Sequence, residues 1–136
     1  MTRIHEQAHI NRTVCFDGIG KGQLYPTDID GVLEFHGRQF IFIEFKYKDA
    51  PMAKGQRLAY EHIADAIRAG GQSAIVILAS HRSTNGNIQA AEATVKAVYY
   101  NGKWYRRGGR LEDVIEAFLR FDKEVRNADK NGHYHD

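Results

Sequence analysis

Two short segments of the sequence combine acidic and basic side chains in a way that suits hydrolytic chemistry. Asp28 and Asp30 stand two residues apart at the start of one predicted strand, and Glu44 and Lys46 stand two residues apart near the end of the next. Because alternate residues of a strand share a face, the members of each pair point the same way. Glu44 and Lys46 interrupt a strongly apolar stretch, where a buried strand would normally carry Val or Ile.

The hairpin that joins these segments predicts which side chains meet. A three-residue loop at 36–38 sets a register in which Asp30 lies opposite Glu44. The same register puts Asp28 opposite Lys46. Directly opposed residues have Cβ atoms about 5 Å apart, so two carboxylates there repel each other unless a cation lies between them. Mg²⁺ prefers such oxygen ligands, together with water and substrate phosphate.

These residue types predict metal-assisted hydrolysis of a phosphodiester. Asp30 and Glu44 would hold Mg²⁺, for which Mn²⁺ is expected to substitute. Lys46 would activate or orient the attacking water and stabilise the charge that develops on the phosphate. Asp28 is an alternative first acid or an accessory ligand, and the sequence leaves the choice between Asp28 and Asp30 open.

The composition is that of an ordinary globular protein. The chain has 136 residues, of which 43% are hydrophobic and 26% charged, with a net charge of +2. This predicts a single domain over 1–136 and excludes a fibrous or largely disordered protein. Cys15 is the only cysteine, which excludes an internal disulfide. The chain starts without an apolar signal region, and apolar runs such as 74–79 are too short for a membrane span, so we expect a cytoplasmic protein with no membrane partner.

The hydrophobic pattern predicts an α/β fold with a central mixed sheet and helices on both faces. A hairpin at 29–35 and 39–47 is followed by a helix that runs from an Asp49 N-cap to about Ala69. The order strand, helix, strand implies a right-handed crossover, which lays a strand at 74–79 parallel to a hairpin strand. Other predicted elements are a helix at 2–11, a hairpin at 95–100 and 103–106, a helix at 111–121 and a flexible tail at 127–136.

Pro26-Thr27-Asp28-Ile29-Asp30, followed by Glu44-Phe45-Lys46, resembles the signature of the PD-(D/E)XK nuclease superfamily. The resemblance covers about residues 25–79. It implies a restriction-endonuclease-like core: a helix, a hairpin carrying the acids and the lysine, a crossover helix and a further strand.

The resemblance also implies residue roles. Asp30 matches the motif aspartate, and Glu44 and Lys46 match the acid and the lysine of the second motif. The main-chain carbonyl of Phe45 would then be a further metal ligand. The resemblance implies a magnesium-dependent deoxyribonuclease whose hydrolysis commonly leaves a 5′-phosphate, so DNA is the expected partner.

A further pattern is similar to the RecB-like branch of that superfamily. Gln56 and Tyr60 match the Gln-x-x-x-Tyr pattern that follows the lysine, and a spacing of four puts both on one helix face. From there Gln56 would assist catalysis and Tyr60 would contact the nucleic acid. The branch often carries an acid on its first helix, where Glu6 is the only candidate.

Basic residues near the predicted site offer phosphate contacts. Lys48, Lys54 and Arg57 flank it and would give salt-dependent, sequence-independent binding. A second basic stretch, 106–110, follows Trp104 and is equally well explained as a solvated loop.

Two alternatives stay open. One is a catalytically inactive DNA-binding or interaction module of the same fold, and the other is a structure-selective junction resolvase, which would work as a homodimer. The sequence leaves open DNA or RNA, single, double or branched strands, endonuclease or exonuclease, and a phage, mobile-element or host origin.

Overall fold

A computed structural model describes residues 17–18, 28–84 and 86–130, with side chains described as far as residue 122. The predicted helix at 2–11 lies outside these residues. In chain order the elements are β1 (Gly31–Phe35), β2 (Gln39–Tyr47), α1 (Lys54–Ala69), β3 (Ser73–His81), a short 3₁₀ helix (Ala90–Glu92), β4 (Thr94–Tyr100), β5 (Lys103–Arg106) and α2 (Leu111–Lys130). None of the described helices combines the length and apolar character needed to cross a bilayer.

The described strands form one mixed sheet in the order β1-β2-β3-β4-β5. β2 and β3 are parallel, and α1 provides the crossover between them. The other neighbouring strands are antiparallel. The α/β class, the mixed sheet and the parallel pair are therefore as the hydrophobic pattern predicts.

The register of the first hairpin is confirmed as far as Gly31, and the predicted Asp30–Glu44 and Asp28–Lys46 pairs lie beyond the paired residues. Phe35 pairs with Gln39 and Gly31 with Ile43, across a three-residue loop. The loop closes tightly because its first residue, His36, adopts a left-handed backbone with φ of 56°. Regular pairing ends at Gly31, so β2 continues beyond its partner strand towards Tyr47.

Adjacent side chains of β2 enter two different hydrophobic clusters. Ile41 and Ile43 belong to a cluster that contains buried residues of α2. Phe42 belongs to a second cluster that contains Tyr60 of α1. Because alternate residues share a face, Glu44 follows Phe42 to the side of the sheet on which Tyr60 packs.

Helix α1 begins later than the sequence predicts. Asp49 was expected to cap it, whereas the helix starts at Lys54 and has no side-chain cap. The chain first makes a turn in which Lys48 has a φ of 50° and donates its backbone N–H to the His81 carbonyl at 2.8 Å. The Asp49 carboxylate is bound instead by the ammonium group of Lys96. A contact between residues so distant in sequence leaves no local signal.

Helix α2 is longer than predicted. The apolar periodicity supports a helix at 111–121, but the helix continues to Lys130. Residues 127–130 of the expected tail are therefore helical, and 131–136 lie outside the described residues.

Candidate active site

Glu44 is a buried carboxylate on an otherwise apolar strand, with an exposed fraction of 3%. The hydroxyl of Tyr60 donates a hydrogen bond to its Oε1 at 2.7 Å. The ammonium group of Lys46 lies 3.3 Å from its Oε2. A buried carboxylate is tolerated when it is hydrogen-bonded and paired with a cation, and Glu44 has both partners.

Asp30 occupies the open end of the β1–β2 hairpin. Its Oδ2 accepts a hydrogen bond from the backbone N–H of Phe45 at 2.8 Å. Regular pairing between the two strands ends at Gly31 and Ile43, and the carboxylate binds the Phe45 N–H where a continued β1 would have offered backbone. In an antiparallel ladder the N–H and C=O of one residue face the same neighbour, so the Phe45 carbonyl faces this edge as well.

Tyr60 lies next to both acids. Its burial is the main cause of a raised phenol pKa, followed by the hydrogen bond to Glu44 and by the negative charges of Glu44 and Asp30. A hydrogen bond from the Asp30 backbone opposes this rise. The raised pKa keeps Tyr60 protonated, and therefore a donor. With 1% exposure, the side chain lies beneath Glu44 rather than at a surface that a nucleic acid would touch.

The sequence predicts a small divalent cation at this end of the hairpin. Within the described part of the chain, no group of three or more His, Cys, Asp or Glu side chains is arranged to hold a metal. The donors predicted for it are two carboxylates and one main-chain carbonyl, those of Asp30, Glu44 and Phe45. Each carboxylate oxygen has two lone pairs, so the hydrogen bonds already present leave acceptor capacity. Water and phosphate would complete the shell, as is usual for Mg²⁺.

The remaining predicted site residues differ in exposure and in position on the fold. Asp28 is exposed, and Asp30 is the aspartate whose carboxylate reaches β2. Gln56 is half-buried and lies one helical turn before Tyr60 on α1. Glu6 lies outside the described residues.

The predicted phosphate contacts lie at or beyond the carboxyl end of β2. The Lys48 ammonium is 5.0 Å from the ring centroid of the preceding tyrosine. Lys54 is exposed at the first position of α1. Arg57 donates a hydrogen bond to Glu61 at 2.8 Å and keeps 40% of its side chain exposed. All three side chains are at least partly exposed to solvent.

Trp104 is fixed by the protein itself. Its indole N–H donates to Glu61 at 2.6 Å, and its ring centroid is 5.4 Å from that of Tyr99. In the basic stretch that follows, Arg110 donates to a backbone carbonyl at 3.3 Å. These contacts favour a structural role for the tryptophan over base stacking.

The sequence interpretation missed a polar cleft beside the site. It lies at the carboxyl end of β3 and is lined by His81, Arg82 and Lys96, among others. The available signal was the switch from an apolar strand to Ser80-His81-Arg82, since ligands of α/β sheets often bind beyond the carboxyl ends of parallel strands.

Comparison of the chain with protein-family models, with curated proteins and with solved structures gives no significant match. The resemblance to the PD-(D/E)XK superfamily therefore depends on the chain's own residues. At the end of the hairpin, Asp30 accepts a hydrogen bond from the Phe45 backbone, and Glu44 contacts both Tyr60 and Lys46.

Proposed function

We propose that the chain is a metal-dependent nuclease that hydrolyses DNA phosphodiester bonds. The observation that carries the proposal is the pairing of Asp30 with the Phe45 backbone beside Glu44, which is buried between Tyr60 and Lys46. An apolar strand gains no stability from a buried carboxylate with an ammonium group beside it. A hydrolytic role explains both residues.

Lys46 has the access that its role requires. Its ammonium lies 3.3 Å from Glu44, and 26% of the side chain is exposed, so it borders both the acid and the solvent. From there it would orient the attacking water and stabilise charge on the phosphate. Asp30, Glu44 and the Phe45 carbonyl would hold Mg²⁺ or Mn²⁺. The cation would polarise the phosphate oxygens and lower the pKa of water. Gln56 would assist from α1.

The proposal includes the fold family. We place the chain with the restriction-endonuclease-like core of the PD-(D/E)XK superfamily, with helices on both faces of the sheet. The order hairpin, crossover helix and parallel strand supports it. The division of alternate β2 side chains between a cluster with α1 and a cluster with α2 supports the two-sided layering.

Cleavage assays test the function directly. We expect the purified protein to cut DNA in Mg²⁺ or Mn²⁺ and not in EDTA. Glu44→Ala and Lys46→Ala should each lower the rate by at least about a hundredfold. Lys103→Ala, which changes an exposed lysine on β5, is the matched control and should cleave normally. Circular dichroism should give folded spectra for all variants. Full activity of either site variant would contradict the proposal.

The substrate panel separates the two alternatives. It contains linear, nicked, flapped and four-way DNA, with RNA alongside. An inactive module would bind without cutting and would give no carboxylate-dependent Mg²⁺ heat in calorimetry. A junction resolvase would cut the four-way substrate selectively and behave as a dimer in light scattering.

A further inference from the structure

A polar cleft opens at the carboxyl end of β3, beside the proposed site. It consists of two recesses of about 280 Å³ each, which share His81, Arg82 and Glu92. Ser80 of β3 is the register partner of Lys46 on β2. Neighbouring strands lie about 4.8 Å apart, so the cleft begins one strand away from Lys46.

Two cations line the recess that contains Ser80. Arg82 is exposed directly after β3, and Lys96 comes from β4. The register between β3 and β4 shifts between Leu78 and Ala79, which leaves Lys96 as the extra residue of a β-bulge. Such bulges redirect side chains and occur next to functional sites. The bulge explains how a strand residue reaches this cleft.

Two acids also face the cleft, Asp49 and Glu92. Lys96 donates a hydrogen bond to Asp49, and that bond, with the charges of Lys96 and Arg82, holds the pKa of the Asp49 carboxyl below its ordinary value. The Asp49 side chain is 83% exposed. Ion pairs so open to water contribute little stability, so another anion can replace Asp49 with little loss.

We propose that this cleft binds the phosphate backbone of the nucleic-acid strand next to the scissile bond. Arg82 and Lys96 make the phosphate contacts, and the phosphate displaces Asp49 from Lys96. The inference rests on the proposed function, since it places the strand by its distance from Lys46. The planar guanidinium of Arg82 matches two phosphate oxygens at once, and the hydroxyl of Thr94 lines the same recess.

Because the phosphate displaces Asp49, substitution of Asp49 and substitution of the cleft cations should change the affinity in opposite directions. Binding of a short fluorescein-labelled oligodeoxynucleotide is measured by anisotropy in a Glu44→Gln background, so that no cleavage occurs. Arg82→Ala and Lys96→Ala should each weaken binding about tenfold and reduce the salt dependence by about one phosphate contact. Asp49→Asn should tighten binding. Lys103→Ala is the control and should bind like the parent.

Any of three results would overturn the phosphate-binding role of the cleft. These are unchanged affinity in both cation variants, weaker binding by Asp49→Asn, or a loss of affinity in Lys103→Ala equal to that in the cation variants. Because the cleft variants are compared by affinity alone, their outcome is independent of catalysis. If the unmodified chain cleaves DNA and the cleft variants bind with unchanged affinity, the cleft inference is wrong and the proposed nuclease activity still stands. Cleft-dependent binding without cleavage in any metal would contradict the proposed nuclease activity and leave the cleft as a binding site for the nucleic-acid backbone. Failure to bind nucleic acid would remove both.

Discussion

Glu44 is the residue whose position local physics explains least and the proposed function explains best. It follows three buried hydrophobic residues, 41–43, on a strand that pairs on both sides. Burial of a carboxylate there costs free energy, which Tyr60 and Lys46 offset by a hydrogen bond and an opposite charge. Residues that break a local rule in this way are expected at functional sites.

The first prediction concerns Tyr60 as a positioning residue for Glu44. Tyr60→Phe keeps the ring and removes the hydroxyl that donates to Oε1 of Glu44. Loss of a buried hydrogen bond to a charged acceptor should lower the free energy of unfolding by about 1–3 kcal/mol. We expect kcat for cleavage to fall about tenfold with KM unchanged, because the substrate does not touch the phenol.

Tyr99→Phe is the matched control for this variant. The Tyr99 hydroxyl donates to Asp65 at 2.8 Å, in a contact that involves neither Asp30 nor Glu44. This variant should lose stability but retain kcat. A raised KM with normal kcat in Tyr60→Phe would instead indicate that Tyr60 contacts the nucleic acid, and the positioning role would be wrong.

At the scale of elements, unequal strand lengths create the site. β1 has five residues and β2 has nine, so the antiparallel pairing stops at Gly31 and leaves Phe45 with an open edge. The Asp30 carboxylate then satisfies the Phe45 N–H in place of a strand partner. In this register the residue opposite Phe45 is Ile29, so β1 would have to extend by two residues to replace that carboxylate with backbone.

The hairpin and crossover could be predicted because their signals are local. A three-residue loop fixes the register, and the period-2 pattern of β2 puts Glu44 and Lys46 on one face. The Lys96–Asp49 ion pair and the β4 bulge could not be predicted, since each depends on packing between residues far apart in the sequence. The predicted Asp49 cap of α1 is wrong for the same reason, because the Asp49 carboxylate binds Lys96 instead.

Asp122 supplies the second prediction, because it joins α2 to the sheet. It is 4% exposed and accepts hydrogen bonds from the Gln39 amide at 2.9 Å and the Ser73 hydroxyl at 2.6 Å. Those residues begin β2 and β3. Asp122→Ala removes the buried acceptor of both part-buried donors and should lower the free energy of unfolding by about 2–4 kcal/mol, measured by urea denaturation.

The control for Asp122 is Asp113→Ala, an exposed acid in the first turn of the same helix. It should change stability by less than about 1 kcal/mol. Since Asp122 binds the amino ends of the strands and the site is near the carboxyl end of β2, cleavage by folded Asp122→Ala should be normal. A loss of stability no larger than that of Asp113→Ala would mean that Asp122 does not anchor the helix.

Over the whole described molecule, the two ends of the parallel strands β2 and β3 carry different kinds of contact. The amino ends of β2 and β3 carry the Asp122 contacts that fix α2. The carboxyl ends carry Lys46, the turn at Lys48 and the polar cleft. Ligand sites of α/β sheets occur at the carboxyl ends of strands, where loops can vary without disturbing the core. In the proposed nuclease, the contacts that stabilise the fold and the residues that do the chemistry thereby lie at opposite ends of the strands.

The last prediction is the response of this architecture to alkaline pH. Burial raises the pKa of Tyr60 and of Tyr99 above the ordinary value of 10.0, with the hydrogen-bonded acids Glu44 and Asp65 adding to the shift. A raised folded pKa contributes stability that is fully present below pH 10 and is lost as the pH rises beyond it. The free energy of unfolding should therefore fall as the pH rises above 10, with a limiting slope of about 1.4 kcal/mol per pH unit for each tyrosine. Urea denaturation checks this, and the Tyr60→Phe and Tyr99→Phe variants should each have a shallower slope. An equally steep fall in the double variant would assign the alkaline transition to other groups.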